Sequence, residues 1–438
     1  MPKSSSRLYI QPGGSLRGEI RVPGDKSISH RAVMLGAIAE GDTRIVGFLQ
    51  AEDCLATLEA FRAMGVSIDE PDAGRVIVHG VGKRGLRRPD GPLNLGNSGT
   101  SMRLLAGLLS GQSFDVTLSG DASLSRRPMR RVTEPLAQMG ANILLAPGGT
   151  PPITIMASSA LKGIRYDMPV ASAQVKSSLL LAGLNAQGTT CVREPAPTRD
   201  HTERMLGTLG YPVVRRDAWV CLTGDAPLQG TLIDVPGDIS SAAFFMVGAS
   251  LAAGSKLLLR HVGSNPTRTG IIDILNRMGA DIELINQTQA GNEPVGDIKV
   301  SSARLKGIDI TPDLVPLAID EFPAIFIAAA CAEGRTALSG AHELRIKESD
   351  RIQTMAEGLQ TCGITANPTA DGIVIEGGAI TGGVIDSHGD HRIAMAFAIA
   401  GMMAHNPIVI RDCDNVSTSF PDFAELASSV GLNISTVT

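Results

Sequence analysis

Six runs of small apolar residues, with hardly a charge on any face, recur along the chain at a near-constant interval. They follow Pro23-Gly24-Asp25, Gly96-Asn97, Ala171-Ser172, Pro236-Gly237-Asp238, Asp320-Glu321 and the stretch from Asp386 to Asp390. Their starts lie roughly 66 to 83 residues apart, close to one-sixth of the 438 residues. Bodies such as Ala32-Val33-Met34-Leu35-Gly36-Ala37, Ser177-Ser178-Leu179-Leu180-Leu181 and Ala324-Ile325-Phe326-Ile327-Ala328 show no polar stripe, and a helix apolar all round belongs in an interior. A second series is amphipathic and stops at Met64-Gly65, Met139-Gly140, Leu209-Gly210, Met278-Gly279, Cys362-Gly363 and Val430-Gly431. Glycine just past the last periodic residue is a helix stop. The pattern predicts an α/β chain of six units, each of helix, strand, helix and strand.

The best internal match pairs Arg21-Val22-Pro23-Gly24-Asp25-Lys26-Ser27 with Asp234-Val235-Pro236-Gly237-Asp238-Ile239-Ser240, about half the chain apart. Two similar domains of three units are therefore expected: residues 23–236, and residues 1–22 together with 237–438. The segment before Pro23 is expected to pair with the second half, so that the chain crosses twice and the halves close on a cleft. The length allows each domain its own core.

Composition is that of an ordinary globular protein, 43% hydrophobic and 19% charged with a net charge of −5. Only 3% of residues are aromatic, and with no basic excess this argues against a nucleic-acid surface. The longest apolar runs, near Ala324 to Ala332 and Ile393 to Ala404, are shorter than the roughly 18 to 20 residues that span a bilayer. The opening Met1-Pro2-Lys3-Ser4-Ser5-Ser6-Arg7 has no apolar signal core, which points to the cytoplasm. Six scattered cysteines without a CxxC spacing are expected as buried, reduced thiols. No heptad or hydrophobic stripe stands out, so a monomer is expected.

The chemistry concentrates where the apolar helices begin. Asp25-Lys26-Ser27-Ile28-Ser29-His30-Arg31, Asn97-Ser98-Gly99-Thr100-Ser101-Met102-Arg103, Ser172-Ala173-Gln174-Val175-Lys176 and Gly389-Asp390-His391-Arg392 are polar openings. Ser, Thr, Asn and Asp there can cap free N–H groups, and capping alone would explain any single one. Lys or Arg in a first turn, however, sits badly with the positive end of the helix dipole. Repeated in parallel units, it points to an absent anion. The inventory of anion-binding candidates is Lys26, Arg31, Arg103, Arg126, Arg127, Lys176, Lys347, Arg351 and Arg392. The Arg126 to Arg131 cluster could equally be a solvated turn. Lys347 to Arg351 could be a salt-bridged helical face. Gly24-Asp25-Lys26-Ser27 is no P-loop, because Asp25 splits the Gly-Lys pair and the upstream glycine is missing. His388 and His391 with Asp386 and Asp390 match no zinc spacing, and no hydride-cofactor fingerprint is present. Neither metal nor cofactor is expected.

Pro23 to Arg31, Leu95-Gly96-Asn97-Ser98-Gly99-Thr100, Arg127-Pro128-Met129, Asp320-Glu321-Phe322-Pro323, Arg345 to Arg351 and Gly389 to Arg392 together, and in order, resemble the 5-enolpyruvylshikimate-3-phosphate synthase family. The resemblance spans almost the whole chain. It implies two domains of three βαβαββ units each, the inside-out enolpyruvyl transferase barrel. It also implies transfer of the enolpyruvyl group of phosphoenolpyruvate to the 5-hydroxyl of shikimate 3-phosphate, in chorismate and aromatic amino-acid biosynthesis. Two substrates that each carry a phosphate and a carboxylate bring roughly six negative charges together, which suits a site dense in Lys and Arg.

By the same resemblance Lys26, Ser27, Arg31, Ser172, Gln174, Arg199, Asp320 and Lys347 would hold shikimate 3-phosphate. Lys26, Gly99, Arg127, Gln174, Arg351 and Arg392 would hold phosphoenolpyruvate. Asp320 would take the 5-hydroxyl proton and Glu348 would protonate the methylene carbon, with Lys26 assisting; the bland alternative for Asp320 is a helix cap. Many relatives have serine where this chain has Ala173 and lysine where it has Thr418. The Ser172 to Lys176 and Arg199 to Glu203 stretches instead resemble a second branch, in which Arg199 would make the missing lysine's contacts. Gly99 leaves room that a methyl group would fill, which implies ordinary sensitivity to glyphosate. The nearest rival is UDP-N-acetylglucosamine enolpyruvyl transferase, whose loop cysteine is absent from Gly120 to Pro128. A scaffold that binds phosphorylated metabolites without turnover is the rival from another class.

Overall fold

The computed structural model describes residues 6–158, 160–224 and 226–437. The opening residues read above as lacking a signal core lie outside it as far as Ser5. The chain divides into two compact units: Gly24–Val235 with Gln289–Glu293, and Met1–Pro23 with Pro236–Thr288 and Pro294–Thr438.

The first unit holds three four-stranded sheets of one topology. Their strand orders are Leu232–Asp234, Glu40–Val46, Arg75–Val81, Ser67–Asp72; Leu93–Asn94, Val116–Ser119, Thr150–Ile155, Ile143–Ala146; and Arg165–Asp167, Thr189–Arg193, Trp219–Thr223, Val214–Arg216. In each, the first pair is parallel and the other two are antiparallel. A parallel pair needs a crossover; in the second and third sheets the apolar helix between the paired strands supplies it, while in the first the pair joins the two ends of the unit. The second unit has three four-stranded sheets as well, and N-terminal strands complete two of them. Arg17–Ile20 runs parallel to Lys256–Gly263, while Arg7–Ile10 lies antiparallel between Ile408–Arg411 and Ile434–Val437. Six sheets in a mixed α/β chain match the six-unit repeat.

The apolar runs are Lys26–Ala37, Gly99–Leu109 and Ala173–Gly183 in the first unit, and Ile239–Leu251, Phe322–Ala330 and His391–Ala400 in the second. All are buried over most of their length. Side chains such as Leu104, Leu105 and Leu108, none of them accessible, contribute about 1.5–3 kcal/mol each. Small residues set the spacing: a Cβ on Gly107 would lie 2.0 Å from the Ser178 carbonyl oxygen, so these two helices meet backbone to backbone. The outer helices Glu52–Ala63 and Arg130–Gln138 stop at Gly65 and Gly140, whose positive φ angles of 86° and 94° close the last turn at low cost.

His30 ties the first inner helix of the first unit to the second and to the outer helix Glu52–Ala63. Its Nδ1 lies 2.8 Å from Thr57 Oγ1 and 3.2 Å from Ser101 Oγ, and its Nε2 is 3.4 Å from Ser98 Oγ. Ser98 also caps its helix by accepting from the Ser101 N–H at 3.1 Å. Burial, with the charges of Lys26 and Arg31, pushes the His30 pKa well below 6.5.

The expectation of six reduced thiols needs correction. Antiparallel register sets Cys191 directly opposite Cys221, and the two form a disulfide. Their 30-residue separation hid that register from the sequence. Cys331 is half-buried rather than buried, whereas Cys54, Cys362 and Cys413 are buried. Burial pushes the Cys331 and Cys413 thiols up to about 12 and Cys362 up to about 11, which leaves them unreactive. Among the described residues, no helix is long and apolar enough to cross a membrane.

Two measurements test this packing. Gly107→Ala should lower unfolding free energy by about 1–3 kcal/mol, whereas Gly91→Ala, where a Cβ meets nothing within 4 Å, should change it little; equal losses in denaturant melts would contradict the close helix approach. Unfolded His30 takes up its proton near pH 6.5, but folded His30 does so only at much lower pH. Between the two the unfolded state holds the extra proton, so stability falls as pH falls below 6.5, by about 1.4 kcal/mol per pH unit from this group. Denaturant melts from pH 7 to about pH 5.5 should show a shallower loss for His30→Gln than for the parent.

Candidate active site

In the first unit the polar openings of the three inner helices are linked through their side chains. Asp25 caps Lys26–Ala37 by accepting from the Ile28 N–H at 2.9 Å. Lys26, half-buried at the first position, forms an ion pair with the buried Asp53 of the outer helix. One turn on, Arg31 is 4% exposed. It donates from Nη1 to the Ser27 carbonyl at 2.9 Å, from Nε to Thr202 Oγ1 at 2.7 Å and from Nη2 to Ser177 Oγ at 2.9 Å. Arg31 therefore also braces three helices, a role its place in the motif did not reveal.

Gly99 opens the second helix beneath two arginines. A Cβ there would stand 2.8 Å from Arg103 Nη1 and 3.0 Å from Arg127 Nη1, so guanidinium ends occupy the ground expected to be open. Arg127 Nη2 donates to Asn97 Oδ1 at 2.6 Å, and Asn97 Nδ2 to Asp121 Oδ2 at 2.7 Å. Arg103 Nη1 donates to Gln174 Oε1 at 3.0 Å, and Gln174 Nε2 to Thr100 Oγ1 at 3.2 Å. Ser172 caps the third helix by accepting from the Val175 N–H at 3.3 Å. Gly99, Arg103, Arg127 and Gln174 thus share one small region. Arg126, Arg130 and Arg131 are exposed, which leaves Arg127 as the inward member of that basic cluster. Lys176 departs from the inventory: it is wholly buried against Glu194 and Glu203, with no surface to offer an anion. Half-buried Arg199 precedes the Asp200 that opens His201–Thr208.

In the second unit Asp320 Oδ1 lies 3.3 Å from Lys347 Nζ and 3.4 Å from Arg351 Nη1. Arg351 Nη2 reaches Glu348 Oε2 at 2.7 Å, and its Nε reaches Asp390 Oδ2 at 2.8 Å. Ser349 Oγ also donates to Asp390 Oδ2, at 3.0 Å. Burial opposes the Arg351 charge, but Asp390, Glu348 and Asp320 outweigh it and hold its pKa above the usual range. Burial likewise opposes the Asp390 charge; Arg351 prevails and holds that carboxyl below its usual range. Lys347 to Asp350 are not helical, and the helix starts at Arg351 with Asp350 as cap. The salt-bridged helical face therefore does not form. Glu321 rather than Asp320 occupies the N-cap position of Phe322–Ala330, against the capping alternative for Asp320. Arg392 is half-buried in the first turn of its helix and meets no carboxylate among the described residues. Thr418 is buried, with its hydroxyl donating to the Asn415 carbonyl at 2.7 Å.

Sequence reasoning missed Asp53, Asn97 and the grip of Asp390 on Arg351. Asp53 reads as an ordinary acidic residue in a first helical turn, and Asp390 as a cap, which it also is: it accepts from the Arg392 N–H at 2.9 Å. Only their partners from other elements mark them out.

The first unit holds cation-rich helix openings, and the second holds a buried arginine shared by three carboxylates. Residues 10–426 match the family model described as EPSP synthase (3-phosphoshikimate 1-carboxyvinyltransferase). A 3-phosphoshikimate 1-carboxyvinyltransferase of Nitrosococcus oceani is 66% identical over 98% of this chain and 96% of its own length. That of Methylococcus capsulatus is 65% identical over 97% of each. The solved EPSP synthase of Acinetobacter baumannii superimposes with a TM-score of 0.90 at 56% identity, covering 99% of this chain and 100% of that one. With a family model across most of its length and relatives this close, the chain belongs to the EPSP synthase family.

Proposed function

We propose that the protein transfers the enolpyruvyl (1-carboxyvinyl) group of phosphoenolpyruvate to the 5-hydroxyl of shikimate 3-phosphate, releasing phosphate and 5-enolpyruvylshikimate 3-phosphate, in aromatic amino-acid biosynthesis. The observation that carries the reading is Asp320 and Glu348 on one buried guanidinium, Arg351, with Lys347 also on Asp320. Addition and elimination at a vinyl carbon need one group to take a proton from the attacking hydroxyl and another to give one to the methylene carbon. Asp320 is assigned the first task. Anionic substrate drawing on Lys347 weakens the cationic field over Asp320 and makes it a better acceptor. Glu348 is assigned the second: Arg351 Nη2 donates to its Oε2 at 2.7 Å, whereas Asp390 accepts from two nitrogens of the guanidinium and from Ser349. The hydroxyl oxygen then bonds to C2 of the enolpyruvyl group. Breaking of the C2–O bond to phosphate, with loss of a proton from the newly formed methyl group, restores the double bond.

Lys26, Ser27, Arg31, Ser172, Gln174, Arg199, Asp320 and Lys347 are assigned to shikimate 3-phosphate. Lys26, Gly99, Arg127, Gln174, Arg351 and Arg392 are assigned to phosphoenolpyruvate, with Lys26 assisting proton transfer. Fixing both reactants supplies a large share of the rate. We also propose a cytoplasmic monomer. Exposed apolar side chains such as Leu144, Val214, Leu232 and Val384 stand on separate strands, and both substrates are phosphorylated, membrane-impermeant metabolites.

Phosphate release from phosphoenolpyruvate, in a chelator-containing buffer, tests the assignment. Release is expected with shikimate 3-phosphate and none with UDP-N-acetylglucosamine; the reverse result, or silence with both, would refute it. Asp320→Ala should keep the fold and lose about 10²–10⁴-fold in kcat, while a scaffold would keep its function. Gly99→Ala pushes only on the flexible ends of Arg103 and Arg127. It should raise the phosphoenolpyruvate KM about tenfold, equivalent to about 1.4 kcal/mol, with a smaller change in the shikimate 3-phosphate KM.

A further inference from the structure

The stretches Ser172 to Lys176 and Arg199 to Glu203 are joined by a buried ion pair. Lys176 Nζ has no solvent exposure and lies 2.7 Å from Glu203 Oε1 and 3.0 Å from Glu194 Oε2. A charge at that depth is tolerated only in company. Lys176 stands two residues beyond Gln174 in the helix Ala173–Gly183, and Glu203 stands in the first turn of His201–Thr208. The pair thus pins one helix opening to the other.

The neighbours of both residues hold Arg31. Its Nε donates to Thr202 Oγ1 and its Nη2 to Ser177 Oγ, while Thr202 Oγ1 donates to Ser177 Oγ at 2.8 Å. Asp200, beside Arg199, is held at 2.8 Å by Arg204 and at 3.3 Å by Arg215. Arg215 also stands 3.9 Å from Glu194 and 3.8 Å from Glu203. Arg199 and Arg31 feel each other's charge. Burial takes the Arg31 pKa down to about 10, against the opposing pull of Glu203, and Arg199 adds to the fall. Two arginines within range of one another favour an anion beside them.

We propose that Lys176 and Glu203 are positioning residues for shikimate 3-phosphate: their buried pair fixes the opening of His201–Thr208 against that of Ala173–Gly183, and so sets Arg199 relative to Arg31 and Gln174. This rests on the substrate assignment made above. It gives the Lys176 charge, which no anion can reach, a use in the reaction.

A double-mutant cycle in the full-length enzyme tests this, with steady-state kinetics for both substrates and calorimetric titration with shikimate 3-phosphate. Glu203→Gln, which keeps the side-chain volume, should raise the shikimate 3-phosphate KM about tenfold while kcat and the phosphoenolpyruvate KM stay within about twofold. In an Arg199→Ala background the same change should add little. A merely structural role would lower both affinities together or give losses that multiply, and either result overturns the proposal. Should Glu203→Gln not fold, Lys176→Met with Glu194→Gln and Glu203→Gln removes all three charges of the cluster and leaves no carboxylate without its lysine; it should show the same selective defect, and normal shikimate 3-phosphate affinity in it would overturn the proposal. If the parent enzyme itself gives no heat with shikimate 3-phosphate, the substrate assignment falls. Normal parent binding with unaltered Glu203→Gln affinity refutes the positioning role alone.

Discussion

Each inner helix is apolar around its circumference, so its first turn is where it can present polar groups. That constraint governs the site. The helix bodies are buried on every side and would suffer from any charge along their length. An opening turn has free N–H groups that need partners in any case, and the polar residues that satisfy them cost nothing in core packing. Lys26, Ser27, Gly99, Thr100, Ser172, Gln174 and Arg392 all lie at or beside such openings. The packing that makes the interior dry thereby gathers the chemistry at helix ends within each unit.

Cations at helix openings work against the local dipole, and the chain offsets this in two ways. Lys26 is held by Asp53 and stays half-buried. Arg351 is buried outright and takes Asp390, Glu348 and Asp320 around it. Burying a charge is tolerable only with dense, well-placed counter-charge, so such a cluster is rigid as well as costly. Rigidity is what a site needs when it must hold two proton-transfer carboxylates in fixed, different surroundings. One buried arginine therefore orders both groups assigned to acid–base work.

The repeat, the inner helices and their caps were legible in sequence because they are local. Apolar residues without a polar stripe, an Asp or Ser just before them and a glycine after each amphipathic helix carry their meaning within a dozen residues. Partnerships between separate helices and strands were not legible. Lys176 looks like another anion ligand until Glu194 and Glu203, 18 and 27 residues on, close around it. Cys191 and Cys221 look like scattered thiols until strand register sets them opposite one another. Asp53 and Asp390 look like routine helix-start acids. Nothing in the sequence marks Gln289–Glu293 as part of the Gly24–Val235 unit, where Glu293 Oε1 lies 2.8 Å from His201 Nδ1.

The same locality explains why repeat-related openings do not share chemistry. Asp25 and Asp238 occupy matching places in the internal repeat and both cap an inner helix, at 2.9 and 2.8 Å. After Asp25 comes Lys26, reaching toward the surface of its unit; after Asp238 comes Ile239, fully buried. In the second unit the cation near the cap is Arg268, 3% exposed. It bonds to Asp238 at 3.1 Å and to Ser240 Oγ at 2.8 Å, and lies 3.5 Å from Glu321. With its charge consumed inside, that opening serves the core. The fold fixes where a polar turn must be, and a single neighbouring residue decides whether the turn faces a substrate or is sealed within the protein.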